Sequence, residues 1–267
     1  MERKAEYCLT QIFHYLVNGL AAIVFFCCIA YSGYALWDNW SILKEPDQVR
    51  EDLIRYKPAN EEELSYSFQE LKAMNPDVCG WLTLDHTKID YPVVQGTDNF
   101  EYLEKDVLGN PSVAGSIFLD YRNERDFSDS KNIIYGHNMK DGSMFGGLKA
   151  YMDSEFFRKS PCIRIFRQGK WIVCPIFSCH VVQENDHSPY QAGMTKTERE
   201  AYFTAMSQQS LYDTGIKKYE NEDFLTLSTC HGWGKRLVLH AIIPHEESEK
   251  GRESIKIADF SVKKSQK

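Results

Sequence analysis

The run Leu20–Trp37, LAAIVFFCCIAYSGYALW, constrains this chain more than any other stretch, because it carries no charge and few polar side chains. A segment of this kind satisfies its backbone N–H and C=O groups locally only as a helix. At ~1.5 Å per residue its length matches the ~30 Å hydrocarbon core of a bilayer. Leu16, Val17 and Gly19 extend it backwards, and Tyr31, Tyr34, Trp37 and Trp40 supply aromatic residues for the far interface. The expectation is a transmembrane anchor over 16–37 behind a cytoplasmic leader over 1–15, in which Arg3 and Lys4 orient the N-terminus inward. A cleaved signal peptide is the rival reading, but the run is long for an h-region and has no clear small-x-small site. The remainder of the chain is then extracellular. It divides into a polar stalk over 38–59 that is helical from Ser41 to Arg55, a globular domain over 60–247, and a charged flexible tail over 248–267.

A net charge of -7 opposes a nucleic-acid partner, which would favour a basic face. Cysteine usage is more informative. Cys8, Cys27 and Cys28 belong to the leader and anchor, which leaves Cys79, Cys162, Cys174, Cys179 and Cys230 outside. An odd number leaves at least one thiol without an intramolecular partner, and no regular spacing marks a disulfide framework. The expectation is mostly free thiols, one reactive and the rest packed as small apolar residues, with a Cys174–Cys179 disulfide as the alternative. The pairs Cys179-His180 and Cys230-His231 lack the tight paired spacing of a zinc site, so no metal is expected.

Beyond the stalk, Asn60 caps a helix that runs through Phe68, Leu71 and Met74 and stops before Asn75-Pro76. Short β-patterned runs come next: Gly80–Leu84, Lys88–Val94, Gly115–Leu119 and Asn132–Tyr135. Cys162–Gln168 and Lys170–Val182 read as a hairpin about Gln168-Gly169-Lys170, and Phe224–Thr229 with Arg236–Ile243 as the closing pair. Short helical pieces fall near Asn99–Leu103 and within Gly142–Tyr151. Thr195-Lys196-Thr197-Glu198 is a capping-box pattern that opens a helix to about Gln209, either a cover for the barrel or the wall of a groove. About eight short strands with few helices make the domain mainly β, a barrel or sandwich with helical insertions.

The closing pair also carries the chemistry. Thr226–Thr229 leads into Cys230, a Gly-rich turn comes after it, and Arg236 opens the next strand. A guanidinium across a tight hairpin favours the thiolate and can hold a developing oxyanion. A proton donor for the leaving group is also needed, and His137 in Tyr135-Gly136-His137-Asn138 is the best-placed candidate. His231 adjoins Cys230, but neighbours on a strand point to opposite faces. His240 lies inside an apolar strand and reads as a packed core or a surface-face histidine.

These residues resemble the sortases, and class B sortases in particular. Thr226-Leu227-Ser228-Thr229-Cys230 is similar to the family's TLxTC strand and Tyr135-Gly136-His137 to its histidine motif, while Arg236 heads the strand after the cysteine. Asn75–Val78 with Gly80-Trp81, Ile89–Gly96, Ala114–Asp120 and His137–Phe145 extend the likeness across roughly Glu61–Pro244. The resemblance implies an eight-stranded β-barrel transpeptidase with peripheral helices, preceded by an N-terminal helix and a membrane anchor, on the outer face of a Gram-positive cell membrane. It further implies that Cys230 attacks the Thr carbonyl of an NPxTx-like sorting motif near the C-terminus of a secreted protein. His137 then serves as acid and base, and Arg236 holds the oxyanion. The product is joined to an amine of the peptidoglycan precursor or cross-bridge, with no metal or organic cofactor. By the same resemblance Asn99, Leu103 and Ser228 line the substrate groove. The turn His231–Lys235 is shorter than in many sortases and holds no acid after the cysteine, so no catalytic Asp is assigned. A pilin-polymerising sortase, a thiol hydrolase and a non-catalytic peptide-binding module are the other readings.

Overall fold

A computed structural model describes residues 2–58, 66–191, 194–216 and 222–244, excepting the side chains of 2–10, 39–49 and 66. The expected Asn60 cap and the tail over 248–267 lie outside the described residues. The chain divides into two compact units, Met1–Glu45 and Pro46–Lys267. Where an anchor and a separate helical stalk were expected, a single helix α1 runs Glu2–Leu53. Within it Gln11–Asp38 is long and apolar enough to cross a membrane, with a mean hydropathy of 2.1 and none of it buried.

In the second unit, the expected set of short strands closes into a barrel rather than a sandwich. Its strands are β1 (Val78–Thr83), β2 (Asp90–Val94), β3 (Ile117–Leu119), β4 (Lys131–Tyr135), β5 (Cys162–Arg167), β6 (Lys170–Gln183), β7 (Asp223–Cys230) and β8 (Lys235–Ile243). Around the barrel they run β1-β2-β3-β4-β7-β8-β6-β5, and β1 pairs β5 to close the ring. Pairs β2/β3 and β4/β7 are parallel and the others antiparallel. Closure removes the two free edges that a sandwich would have to protect.

Alternation along the last two strands decides what points where. Leu225, Leu227, Leu237, Leu239 and Ala241 enter the main core, where each large apolar side chain contributes roughly 1.5–3 kcal/mol. Phe224, Thr226, Ser228 and Cys230 occupy the other face of β7, opposite Ile242, His240, Val238 and Arg236 of β8. The deep end of that outer face is roofed by α4 (Lys196–Gln209), whose Tyr202 and Met206 pack with Phe177, Phe224 and Ile242. The capping box is formed: Thr195 Oγ1 accepts from the Glu198 N–H at 3.4 Å, and Glu198 Oε2 accepts from the Thr195 N–H at 2.7 Å. Of the two roles open to this helix, these contacts describe the barrel cover. The helix α2 (Tyr66–Met74) buries Phe68 and Leu71 with Trp81, Val94 and Phe166 in a second cluster, and the short α3 (Ser154–Lys159) buries Phe157 in the main core.

Under α4 lies a polar cluster. Of the two readings of His240 the structure takes the core one: it is fully buried, and its Nδ1 meets Tyr202 Oη and Thr226 Oγ1, each at 2.9 Å. His180 Nδ1 meets Ser178 Oγ at 3.0 Å, and the two imidazole centroids are 5.2 Å apart. Burial, partly opposed by Asp186, holds His180 down at about 4, and burial reinforced by His180 and Lys131 holds His240 well below its ordinary value. With folded-state values depressed, the unfolded chain takes up the proton first. The stability tied to these two imidazoles is therefore complete above about pH 6.5 and falls as pH drops towards 4, with His180 alone accounting for roughly 3 kcal/mol. Thermal melts between pH 7 and pH 4.5 check this. The wild type is expected to lose more stability than His180→Gln over that interval, and equal losses would rule the cluster out as a source of acid lability.

Candidate active site

The candidate residues reach one rim of the barrel through three strand ends. Tyr135 closes β4 in parallel register with Ser228, so the chain leaves β4 beside the end of β7. Three hydrogen bonds fasten this exit. The Gly136 N–H donates to the Ser228 carbonyl at 3.4 Å, Thr229 Oγ1 donates to the Gly136 carbonyl at 2.7 Å, and Asn138 Nδ2 donates to the Cys230 carbonyl at 2.6 Å. His137 is thus held between two residues bonded to the nucleophile strand. Glycine is required before it, because a Cβ at 136 would lie 2.5 Å from Ile117 Cδ1 and 2.9 Å from Phe145 Cγ. After it, Phe145 N–H donates to the His137 carbonyl at 2.8 Å, and Met144 is strained into positive φ at 48°.

Cys230 is the last residue of β7 and pairs directly with Arg236, the second of β8. The short turn therefore brings the arginine opposite the thiol, and the His231 N–H bonded to the Lys235 carbonyl at 2.8 Å tightens it. Arg236 Nη2 meets Glu184 Oε1 at 3.1 Å, at the end of β6. The Glu184 N–H in turn donates to the Gly234 carbonyl at 2.8 Å. With side-chain exposures of 29% and 61%, this pair sits at the water boundary and is held only weakly.

The thiols separate by environment. No described cysteine is in a disulfide, so the Cys174–Cys179 alternative does not occur. Of those in the second unit, Cys230 is the exposed one. Burial pushes the Cys79 and Cys179 thiols up to about 12 and Cys162 up to about 11, which keeps them protonated and inert.

His137 Nε2 lies 2.9 Å from the Leu103 carbonyl oxygen. A carbonyl can only accept, so Nε2 carries the hydrogen and Nδ1 is the basic atom of the neutral ring. Leu103 thus enters the site through its backbone, while its side chain packs beside the Trp81 cluster. Asn99 lies before the same 3-10 turn, Glu101–Leu103, and its Oδ1 accepts from the Tyr121 N–H at 3.0 Å. Ser228 is 1% exposed, and its Oγ is bonded to Tyr190 Oη at 2.8 Å. The Tyr190 ring stacks on Tyr135 at 6.2 Å and lies in the field of Arg236 and Cys230. Tyr190, Glu184 and Asn138 escape sequence reasoning. The first two sit in a polar connection with no motif, and all three reach the site by contacts of long sequence separation.

A closed mixed barrel with one exposed cysteine paired across a hairpin with an arginine defines a cysteine acyl-transfer enzyme. The family model for the sortase domain matches residues 82–243, and the chain belongs to the sortase family. It is 37% identical over 168 residues to sortase B of Listeria monocytogenes, covering 63% of this chain and 68% of that protein. It is 28% identical over 171 residues to sortase B of Staphylococcus aureus, covering 64% and 70%. Among solved structures, a mutant form of Clostridium perfringens sortase B superposes with a TM-score of 0.69 at 30% identity, covering 76% of this chain and 98% of that one. Bacillus anthracis sortase B in complex with AAEK1 gives 0.66 at 32% identity, covering 78% and 96%. The chain is therefore a class B sortase and a cysteine transpeptidase.

Proposed function

We propose that this sortase cleaves an NPxTx-like sorting motif after its Thr and transfers the new carboxyl end to an amine of the cell wall. The observation that carries the reading is the Cys230–Arg236 pair at a rim to which His137 is bonded through its neighbours. Cys230 gives its thiol proton to His137, Sγ attacks the Thr carbonyl carbon, and the oxyanion forms beside the Arg236 guanidinium. The C–N bond breaks as His137 passes a proton to the leaving amine, leaving a thioester on Cys230. The acceptor amine then gives a proton to His137 and attacks the thioester, expelling the Cys230 thiolate, which His137 reprotonates. Asn99, with Oδ1 committed to Tyr121, offers Nδ2 to a peptide carbonyl; Leu103 orients His137, and Ser228 acts through Tyr190. Gln11–Asp38 anchors the enzyme in the membrane, with the catalytic unit outside and facing secreted substrates.

The test is a peptide panel with the full chain in detergent, comparing NPxTx-like and LPxTx-like substrates with and without an amine acceptor. Cleavage after Thr in the NPxTx-like peptide is expected, with a ligated product when amine is present. Release to water alone at saturating amine would replace the transpeptidase reading with that of a hydrolase, and preference for LPxTx would overturn the motif.

A further inference from the structure

Lys131, the first residue of β4, is fully buried, and among the described residues it makes no ion pair. Its Nζ instead donates to the Pro189 carbonyl and lies 4.1 Å from the centre of the Tyr202 ring. A lysine is a costly choice for such a position; leucine or methionine would fill the volume without burying a polar nitrogen. What the amine adds is a donor directed at one main-chain carbonyl of the connection between β6 and α4. Burial foremost, and then Arg122, push it down to about 6, with Asp120 opposing, so it serves at neutral pH as an uncharged N–H donor.

The held carbonyl belongs to the short 3-10 turn Ser188–Tyr190. Pro189 is buried, and the next residue, Tyr190, reaches Ser228 Oγ two residues ahead of Cys230. Residue 130 reinforces the clamp, since Ser130 Oγ accepts from the Met194 N–H at 3.0 Å. Two consecutive residues at the start of β4 thus fasten the connection on either side of Tyr190. We propose that Lys131 is a positioning residue for the sorting-peptide groove, holding the Ser188–Tyr190 turn so that Tyr190 stands against Ser228 beside Cys230 and Arg236. This rests on the reading that the groove at Cys230 takes the sorting peptide.

The test compares the wild-type full chain in detergent with Lys131→Met, Tyr190→Leu and the double variant. The readouts are kcat and KM on the fluorogenic sorting peptide, the rate of Cys230 alkylation by iodoacetamide, and thermal melting. Lys131→Met is expected to raise KM about three- to ten-fold, as loss of one buried hydrogen bond does. Its kcat and alkylation rate stay within about two-fold of wild type, because the thiol itself is untouched. Tyr190→Leu raises KM to a similar extent, and the double variant adds little further. An unchanged KM in a folded Lys131→Met overturns the proposal, as do fully multiplicative effects or a parallel fall in kcat and alkylation rate. Lys131→Leu, a smaller apolar replacement, is run beside it in case Lys131→Met does not melt cooperatively. Its KM is expected to rise by the same roughly three- to ten-fold. An unchanged KM in a folded Lys131→Leu overturns the proposal. Absence of wild-type cleavage sinks the groove reading and this inference with it, whereas wild-type cleavage with an unaltered Lys131→Met sinks the inference alone.

Discussion

Cys230→Ala is expected to lower kcat/KM on a sorting peptide by about five orders of magnitude, to the level of background hydrolysis. The expectation is this large because no other thiol of the second unit can substitute. Cys79, Cys162 and Cys179 are driven towards the protonated form by burial, and Cys174 is enclosed in the core. Removing Sγ removes the thioester and with it both halves of the transfer, so cleavage and ligation disappear together. The substitution is gentle on the fold, since Cys230 is exposed and its carbonyl, which accepts from Asn138, is retained. Melting within about 0.5 kcal/mol of wild type is therefore expected alongside the lost activity. The check is a kcat/KM measurement with mass spectrometry of the wild-type enzyme stalled on substrate, where an acyl adduct should map to the peptide containing Cys230. Cleavage that survives in Cys230→Ala would sink the mechanism.

His137→Gln is the second large effect, about 10³- to 10⁴-fold in kcat with a smaller change in KM. The Leu103 carbonyl takes the hydrogen of Nε2, which leaves Nδ1 as the atom able to take up a proton. Glutamine can restore the donor to Leu103 but has no basic atom in place of Nδ1. It separates orientation from proton transfer for that reason. Both acylation and deacylation slow, since each needs a proton moved at the same atom. Pre-steady-state kinetics with and without amine distinguish the two steps. A His137→Gln enzyme within ten-fold of wild type would remove His137 from the reaction and redirect attention to His231. That residue's backbone closes the β7–β8 turn, and its Nδ1 is buried without a partner.

Much of the fold was legible because its signals are local. Alternating apolar residues in Phe224–Thr229 and Arg236–Ile243 announced the closing hairpin, and β7 and β8 differ from those bounds by a single residue at one or both ends. The capping box at Thr195–Glu198 opened the helix that was expected there. Ser41–Arg55 was expected to be helical too, but nothing in a polar stretch reveals whether it continues the preceding helix, and here α1 runs without a break. Parallel pairing of β2 with β3 and of β4 with β7 carries no sequence signature, because each partner is chosen by the closure of the whole barrel.

The candidate site divides the same way. Cys230 and Arg236 are six positions apart, and a short hairpin between β-patterned runs is enough to place them opposite one another. His137 was singled out by its motif, yet what sets its tautomer is a backbone carbonyl thirty-four residues away in sequence. A carbonyl is common to every residue, so no side-chain pattern can flag it. Tyr190 is invisible for the same reason, since Lys131 holds its turn through the Pro189 carbonyl, fifty-eight positions away. The elements, the alternation that turns Cys230 outward and the reactive residue types can be read along the chain, since they depend on backbone geometry over a few residues. The closure of the barrel, the orientation of His137 and the seating of Tyr190 against Ser228 cannot, because each depends on which distant groups meet once the chain has folded and water has been excluded.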